Sequence, residues 1–272
     1  MSTASTLFTR LFTRPFPIIA VIHLQPLPGA PQYLGDMNQV IETAISEAQI
    51  FAAHQVDSLI IENFRDAPFY PDRVPAETVA AMSVVVREVK KSIQLPVGVN
   101  VLRNDAYAAL AIATAAQADF IRINVHIGAV VADQGIIQGK AHETLRLRKQ
   151  LGSQALIFAD VGVKHSAPLV DRGLAAEAHE LTERGKVDAL IVSGAFTGAA
   201  TSTDDLAAVK AVCSLPVLVG SGSTPETLPG LYEHSDGLIV GSTFKYEGFV
   251  ENDVEAARVQ AFMQQVEALR QR

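Results

Sequence analysis

Short runs of β-branched and other apolar residues alternate along the chain with longer amphipathic stretches. The runs cover Pro17 to His23, Ser58 to Asn63, Pro96 to Val101, Phe120 to Val125, Ala155 to Val161, Ala189 to Ser193, Pro216 to Gly220 and Gly237 to Val240. Strand-length runs that each lead into a helix-length segment predict a closed parallel sheet ringed by helices. Asp36 and Thr203 read as helix N-caps, Pro75 and Pro225 as first-turn residues, and the last helix as Asp253 to about Arg270.

Every second run follows an aspartate. Asp57-Ser-Leu-Ile-Ile-Glu-Asn63, Asp119-Phe-Ile-Arg-Ile-Asn124, Asp188-Ala-Leu-Ile-Val-Ser193 and Asp236-Gly-Leu-Ile-Val-Gly241 align without gaps, and three of the other runs start at Pro17, Pro96 and Pro216. The second and fourth positions after each Asp are apolar throughout: Leu59 and Ile61, Ile121 and Ile123, Leu190 and Val192, Leu238 and Val240. Because side chains alternate across a strand, these positions face the helices and the third and fifth point into the barrel. The inward fifth positions, Glu62, Asn124, Ser193 and Gly241, fall at the strand ends where barrels carry their sites, and the aspartates fall at the opposite, structural end. Arg122 stands at an inward third position where the repeat otherwise has Ile60, Ile191 and Ile239. A guanidinium there needs a carboxylate, and Glu62 and Asp160 are the candidates.

The chain is thus expected to be a single (β/α)8 TIM barrel from residue 16 to 272, with phosphate-binding-type loops after its seventh and eighth strands. Those loops are Gly220-Ser221-Gly222 and Gly241-Ser242. Glycine allows positive φ and close backbone approach, and a following helix N-terminus adds roughly half a positive charge. Gly194, in Ser193-Gly-Ala-Phe-Thr-Gly198, is a candidate third part of this phosphate rim, and Lys245 is either a point charge reaching it or a surface lysine. Across the mouth, His23, Glu62, Asn63, Asn100, Arg122, Asn124, His126, Asp160, Lys164 and His165 cluster at the ends of the first five strands. Asp160 or Glu62 is the candidate general base, His23 or His165 the proton carrier, and Arg122 with Asn124 and Asn100 the holder of an anion or hydroxyl. The stretch from His126 to Lys140 reads as a long loop over the mouth, either a lid, a fixed cover or a subunit contact that would make the chain a homo-oligomer.

Composition removes several classes of function. With 22 basic and 29 acidic residues, net charge −7, and Lys90-Lys91 as the longest basic run, no nucleic-acid footprint is present. Cys213 is the single cysteine, so an internal disulfide and a cysteine metal cluster are both excluded. No apolar run approaches the ~20 residues of a membrane span, and no signal-peptide stretch opens the chain, which points to the cytosol. No paired-histidine spacing marks a metal site and no metal or cofactor is expected, the alternative being a divalent ion held by Glu62, Asp160 and the histidines. Residues 1–15 form an N-terminal extension in which Leu7, Phe8, Leu11 and Phe12 share one helical face. That face either caps the barrel's N-terminal end or touches a membrane surface.

Several ordered motifs resemble the BtpA family. They are Val21-Ile-His-Leu-Gln-Pro-Leu-Pro-Gly29, Asn100-Val-Leu-Arg-Asn-Asp105, Phe120-Ile-Arg-Ile-Asn-Val125, Asp133-Gln-Gly135, Ser193-Gly-Ala-Phe-Thr-Gly198 and Gly241-Ser-Thr-Phe-Lys245, between about Pro15 and about Arg258. The resemblance implies a role in photosystem I biogenesis, supporting stable accumulation of the reaction-centre proteins. It also implies photosystem I assembly components as partners and a peripheral place on the cytoplasmic face of the thylakoid membrane. It carries over no catalytic residues, and relatives occur in organisms that do not photosynthesise. The residues themselves motivate the alternative, a barrel enzyme for a small phosphorylated metabolite.

Overall fold

The computed structural model describes residues 4–194 and 201–272. Eight parallel strands close into a barrel: β1 (Ile18–His23), β2 (Ser58–Glu62), β3 (Val97–Asn100), β4 (Phe120–Ile123), β7 (Leu156–Val161), β9 (Ala189–Val192), β10 (Val217–Val219) and β11 (Gly237–Val240). The remaining strands, β5 (Ala129–Ala132), β6 (Gly135–Gln138) and β8 (Ser166–Pro168), form a small antiparallel sheet in the order β6-β5-β8. The stretch expected to be a long fourth loop is therefore a β-hairpin, held by a third strand from the loop after β7.

The helices are α1 (Ala4–Leu11), α2 (Met37–Ala53), α3 (Ala76–Ser92), α4 (Ala106–Ala116), α5 (Ala141–Gln150), α6 (Leu174–Glu183), α7 (Thr203–Lys210), α8 (Leu228–His234) and α9 (Ala256–Arg270). Asp36 caps α2 through the backbone N–H groups of Asn38 and Gln39, as expected. Pro75 stands at the N-cap of α3 and Ser202, not Thr203, caps α7. Pro225 precedes α8, which starts only at Leu228. The chain between is occupied by a turn in which Thr224 and Thr227 exchange hydrogen bonds.

The outward strand residues Leu59, Ile61, Ile121, Ile123, Leu190, Val192, Leu238 and Val240 are buried in the layer shared with the helices. Ile60, Phe120, Phe158, Ile191 and Ile239 fill the barrel interior as a separate cluster. Burial on both faces is why these strands read as apolar runs rather than as alternating ones. Phe120 also explains Gly98, since a Cβ there would stand 2.1 Å from the ring.

All four repeat aspartates make one arrangement. The carboxylates of Asp57, Asp119, Asp188 and Asp236 accept the N–H of Ile18, Val97, Ile157 and Val217 at 2.7–2.8 Å. The backbone N–H of each aspartate returns a bond to the carbonyl of the same residue. Arg270, Lys90, Arg148 and Lys210 supply the matching cations. Each latch satisfies a backbone donor at the start of a strand, the first residue in β1, β3 and β10 and the second in β7.

The apolar face of α1 is used at that same end. Phe8 and Phe12 are buried, with ring centroids 5.9 Å and 6.3 Å from Phe158, which in turn stacks on Phe120 at 4.6 Å. Leu7 and Leu11 pack against the same cluster. Among the described residues no helix is long and apolar enough to cross a membrane.

Candidate active site

A cavity of about 670 Å³ opens at the C-terminal ends of the barrel strands. Its wall carries His23, Glu62, Arg103, Arg122, Asn124, Lys164 and His165 on one side and the turns after β10 and β11 on the other. Asp133 and Gln134, at the hairpin tip between β5 and β6, form part of the rim. The volume and the mixed polar lining suit a small metabolite.

Asp160 and Glu62 both sit at strand ends and have different environments. Asp160, 2% exposed, accepts Arg122 Nε and Nη2 at 3.1 Å each and Asn124 Nδ2 at 2.6 Å, and lies behind the cavity wall. It is fully engaged in holding the two side chains that face the cavity. Asn100 extends the network, donating to Asn124 Oδ1 at 3.3 Å. Glu62, 7% exposed, lines the cavity, and its carboxyl group makes no hydrogen bond or ion pair among the described residues. Burial raises its pKa against the opposing pull of the Arg122 and Lys164 charges. A carboxyl held closer to neutrality and facing a pocket can donate or accept a proton there.

His23 is buried beside Phe64, ring centroids 4.8 Å apart, and its Nδ1 has no partner among the described residues. Burial and the nearby Lys245 charge push its pKa well below the usual histidine value, which favours the neutral ring. Burial followed by Arg122 lowers Lys164, while His165, lowered by burial and by Lys164, sits at the outer edge. His126 turns away from the cavity and bonds the Gly185 carbonyl at 2.9 Å. Asn63 also serves the loops, bonding Asp66 and the Leu102 N–H.

The two glycine turns are joined, with Thr243 Oγ1 donating to the Ser223 carbonyl at 2.6 Å. Gly220, Ser221, Gly222, Gly241 and Ser242 line the cavity together with Ser223 and Thr243. The backbone N–H groups of Gly222, Ser223, Ser242 and Thr243 donate to no acceptor among the described residues, and the buried Ser223 hydroxyl has no partner. Gly222 has φ +71°, a conformation that glycine takes without strain. The helix-dipole contribution expected at the seventh turn is absent, because α8 begins six residues beyond Gly222 and the dipole's effect fades within a turn.

Gly194 is outside the cavity lining. Its N–H donates to Ser221 Oγ at 3.0 Å and so supports the rim from behind. The rest of its motif, Ala195 to Gly198, lies outside the described residues. Lys245 is neither on the rim nor on the surface: it is 0% exposed, with Nζ 2.5 Å from Glu47 Oε1 on α2. Among the described residues no cluster of His, Cys, Asp and Glu is arranged to hold a metal.

Arg103 is a cavity residue that the sequence pattern does not mark. It is buried in the loop after β3, donates Nη2 to the Lys164 carbonyl at 2.7 Å and lines the cavity. Its only signal is its place in Asn100-Val-Leu-Arg-Asn-Asp105, just past a strand end.

The sequence profile of the BtpA family matches residues 14–268. The photosystem I biogenesis protein BtpA of a Synechocystis species is 43% identical over 249 residues, covering 91% of this chain and 87% of its own length. This chain belongs to the BtpA family. A Thermococcus kodakarensis protein is 44% identical over 255 residues, covering 94% of this chain and 97% of that protein. A mitochondrial protein of Caenorhabditis elegans is 32% identical over 262 residues, covering 93% and 94%. The barrel of this chain is similar to solved structures at low identity. Tryptophan synthase from Mycobacterium tuberculosis superposes with TM-score 0.62 at 15% identity, covering 98% of this chain and 97% of that one. Phosphoribosyl anthranilate isomerase from Thermus thermophilus gives 0.57 at 10%, covering 93% and 100%. Both similarities establish the eight-stranded barrel.

Proposed function

We propose that the protein is a barrel enzyme acting on a small phosphorylated metabolite. The observation that carries this reading is the opposition, across one cavity, of Glu62 to two joined turns in which the backbone N–H groups of Gly222, Ser223, Ser242 and Thr243 donate to no acceptor among the described residues. The turns would hold a phosphate through main-chain donors, and Glu62 would move a proton on the part of the ligand that faces it. Arg122 and Asn124, fixed by Asp160, would orient that part. A ligand at about 100 times its Kd stabilises a fold by about 2.7 kcal/mol. A library of phosphorylated metabolites should therefore contain members that raise the melting temperature, while their dephosphorylated counterparts do not. If inorganic phosphate at millimolar concentration produces no shift and no member does better, the reading fails.

A second reading is photosystem I biogenesis, favoured by the 43% identical Synechocystis relative of that name. Association with photosystem I components at the cytoplasmic face of the thylakoid would belong to it. Relatives in Thermococcus kodakarensis and Caenorhabditis elegans, organisms that do not photosynthesise, favour a chemistry shared by the family and used indirectly by photosystem assembly. Expression of Glu62→Gln in a strain lacking the Synechocystis relative separates the two. Rescue of photosystem I by wild type alone supports the enzyme reading, and equal rescue by both proteins supports a non-catalytic role.

A further inference from the structure

Two lysines lie at the inner ends of the barrel loops and are treated differently. Lys245 is sealed in an ion pair with Glu47. Lys164 lines the cavity, and its side chain makes no ion pair or hydrogen bond among the described residues. Its backbone carbonyl is held by Arg103 Nη2, which fixes the start of the side chain at the wall. Arg103 and Arg122 share the cavity wall with it, while Asp160 is already engaged by Arg122 and Asn124. An ammonium placed among guanidiniums without a dedicated counter-ion is poorly supported as a charge and well suited to be an amine.

We propose that Lys164 is a nucleophilic amine that forms an imine with the carbonyl of an aldehyde or ketone phosphate, with Glu62 as its proton donor. This rests on the phosphate-binding reading and names its substrate class. The Lys164 Nζ lone pair attacks the carbonyl carbon, the C–N bond forms, and the carbonyl oxygen takes up the proton released from nitrogen. Glu62 then protonates the resulting hydroxyl. The C–O bond breaks, water leaves, and a protonated imine remains beside the Glu62 carboxylate. Amine, carbonyl and one carboxylic proton become iminium and water, with no change of oxidation state. Burial and Arg122 lower Lys164, and burial raises Glu62, so both groups are displaced toward the protonation states that the step needs. An anion clamp would require the opposite of Lys164, since a clamp gains from full charge.

The test is reductive trapping on the full-length protein with dihydroxyacetone phosphate and sodium cyanoborohydride, followed by peptide mass mapping. The neutral amine is the reactive form and the cavity holds the carbonyl beside Lys164, so Lys164 should be labelled first, ahead of the exposed Lys149 and Lys186. Lys164→Arg should lose that label while keeping the melting temperature, and Glu62→Gln should slow it. Labelling of Lys164 no faster than of Lys149, in a protein that still binds inorganic phosphate, overturns the proposal and leaves the phosphate reading standing. Fast labelling that unphosphorylated dihydroxyacetone matches, and that inorganic phosphate does not compete with, upholds the amine and removes the phosphate site.

Discussion

The Arg122 guanidinium and the Asp160 carboxylate meet side-on inside the barrel, Nε to Oδ1 and Nη2 to Oδ2, both at 3.1 Å. Their side chains are 5% and 1% exposed, so neither charge is solvated by bulk water. Removing one partner strands the other, whereas removing both does not.

Asp160→Asn should therefore cost about 3–5 kcal/mol in urea unfolding, and the double replacement Arg122→Met with Asp160→Leu should cost less than the single one. A loss below about 1 kcal/mol for Asp160→Asn, the level of an exposed pair, would mean that the pair is not structural.

Glu62 leads to a pH-dependent prediction. Its folded-state pKa lies above 4.5, so its contribution to stability is full below the unfolded value and is lost as pH rises through the folded one. Glu62→Gln should then be more stable than the parent at pH 8, with the difference vanishing near pH 4.5, while turnover of any substrate falls. A stability difference that stays flat between these pH values would contradict the burial-shifted carboxyl.

At the glycine rim, Gly222→Ala places a Cβ at φ +71°, which costs roughly 1–2 kcal/mol and disturbs the N–H groups proposed to hold phosphate. Gly152→Ala is the control, since Gly152 has φ +63°, open space around its Cβ position and a place in the turn after α5. Both should lower the melting point comparably, and calorimetry should show weakened phosphate binding in the first alone.

Phe8→Ala removes a ring packed on Phe12 at 4.6 Å and on Phe158. Truncating a buried phenylalanine costs about 3–5 kcal/mol, so urea unfolding should report a loss of that order. The same change should leave flotation with anionic vesicles unaltered, because the apolar face of α1 is already buried against the barrel.

The barrel was legible because its determinants are local and repeated: four Asp-led strands with apolar second and fourth positions define faces without any tertiary information. Helix starts were less so, as with Pro225 and Leu228, where a threonine turn intervenes. The hairpin of β5 and β6 is not legible in the sequence because two four-residue strands are too short to show a period. Asp160 and Glu62 could not be told apart in sequence, both being acids at strand ends. The register that sets Arg122 beside Phe158, and so within reach of Asp160, makes the distinction. Lys245 depended on Glu47, 198 residues away, and Arg103 on a loop path that no periodicity records.

The four aspartate latches also divide the ring. They fasten β1 to β2, β3 to β4, β7 to β9 and β10 to β11, and each of the four intervening contacts lacks one. Opening fluctuations would therefore follow those seams, and hydrogen exchange would proceed by strand pairs, each with its own helices. The unit of local unfolding is then a quarter of the barrel, and every quarter carries one of the inward positions Glu62, Asn124, Ser193 and Gly241 to the mouth.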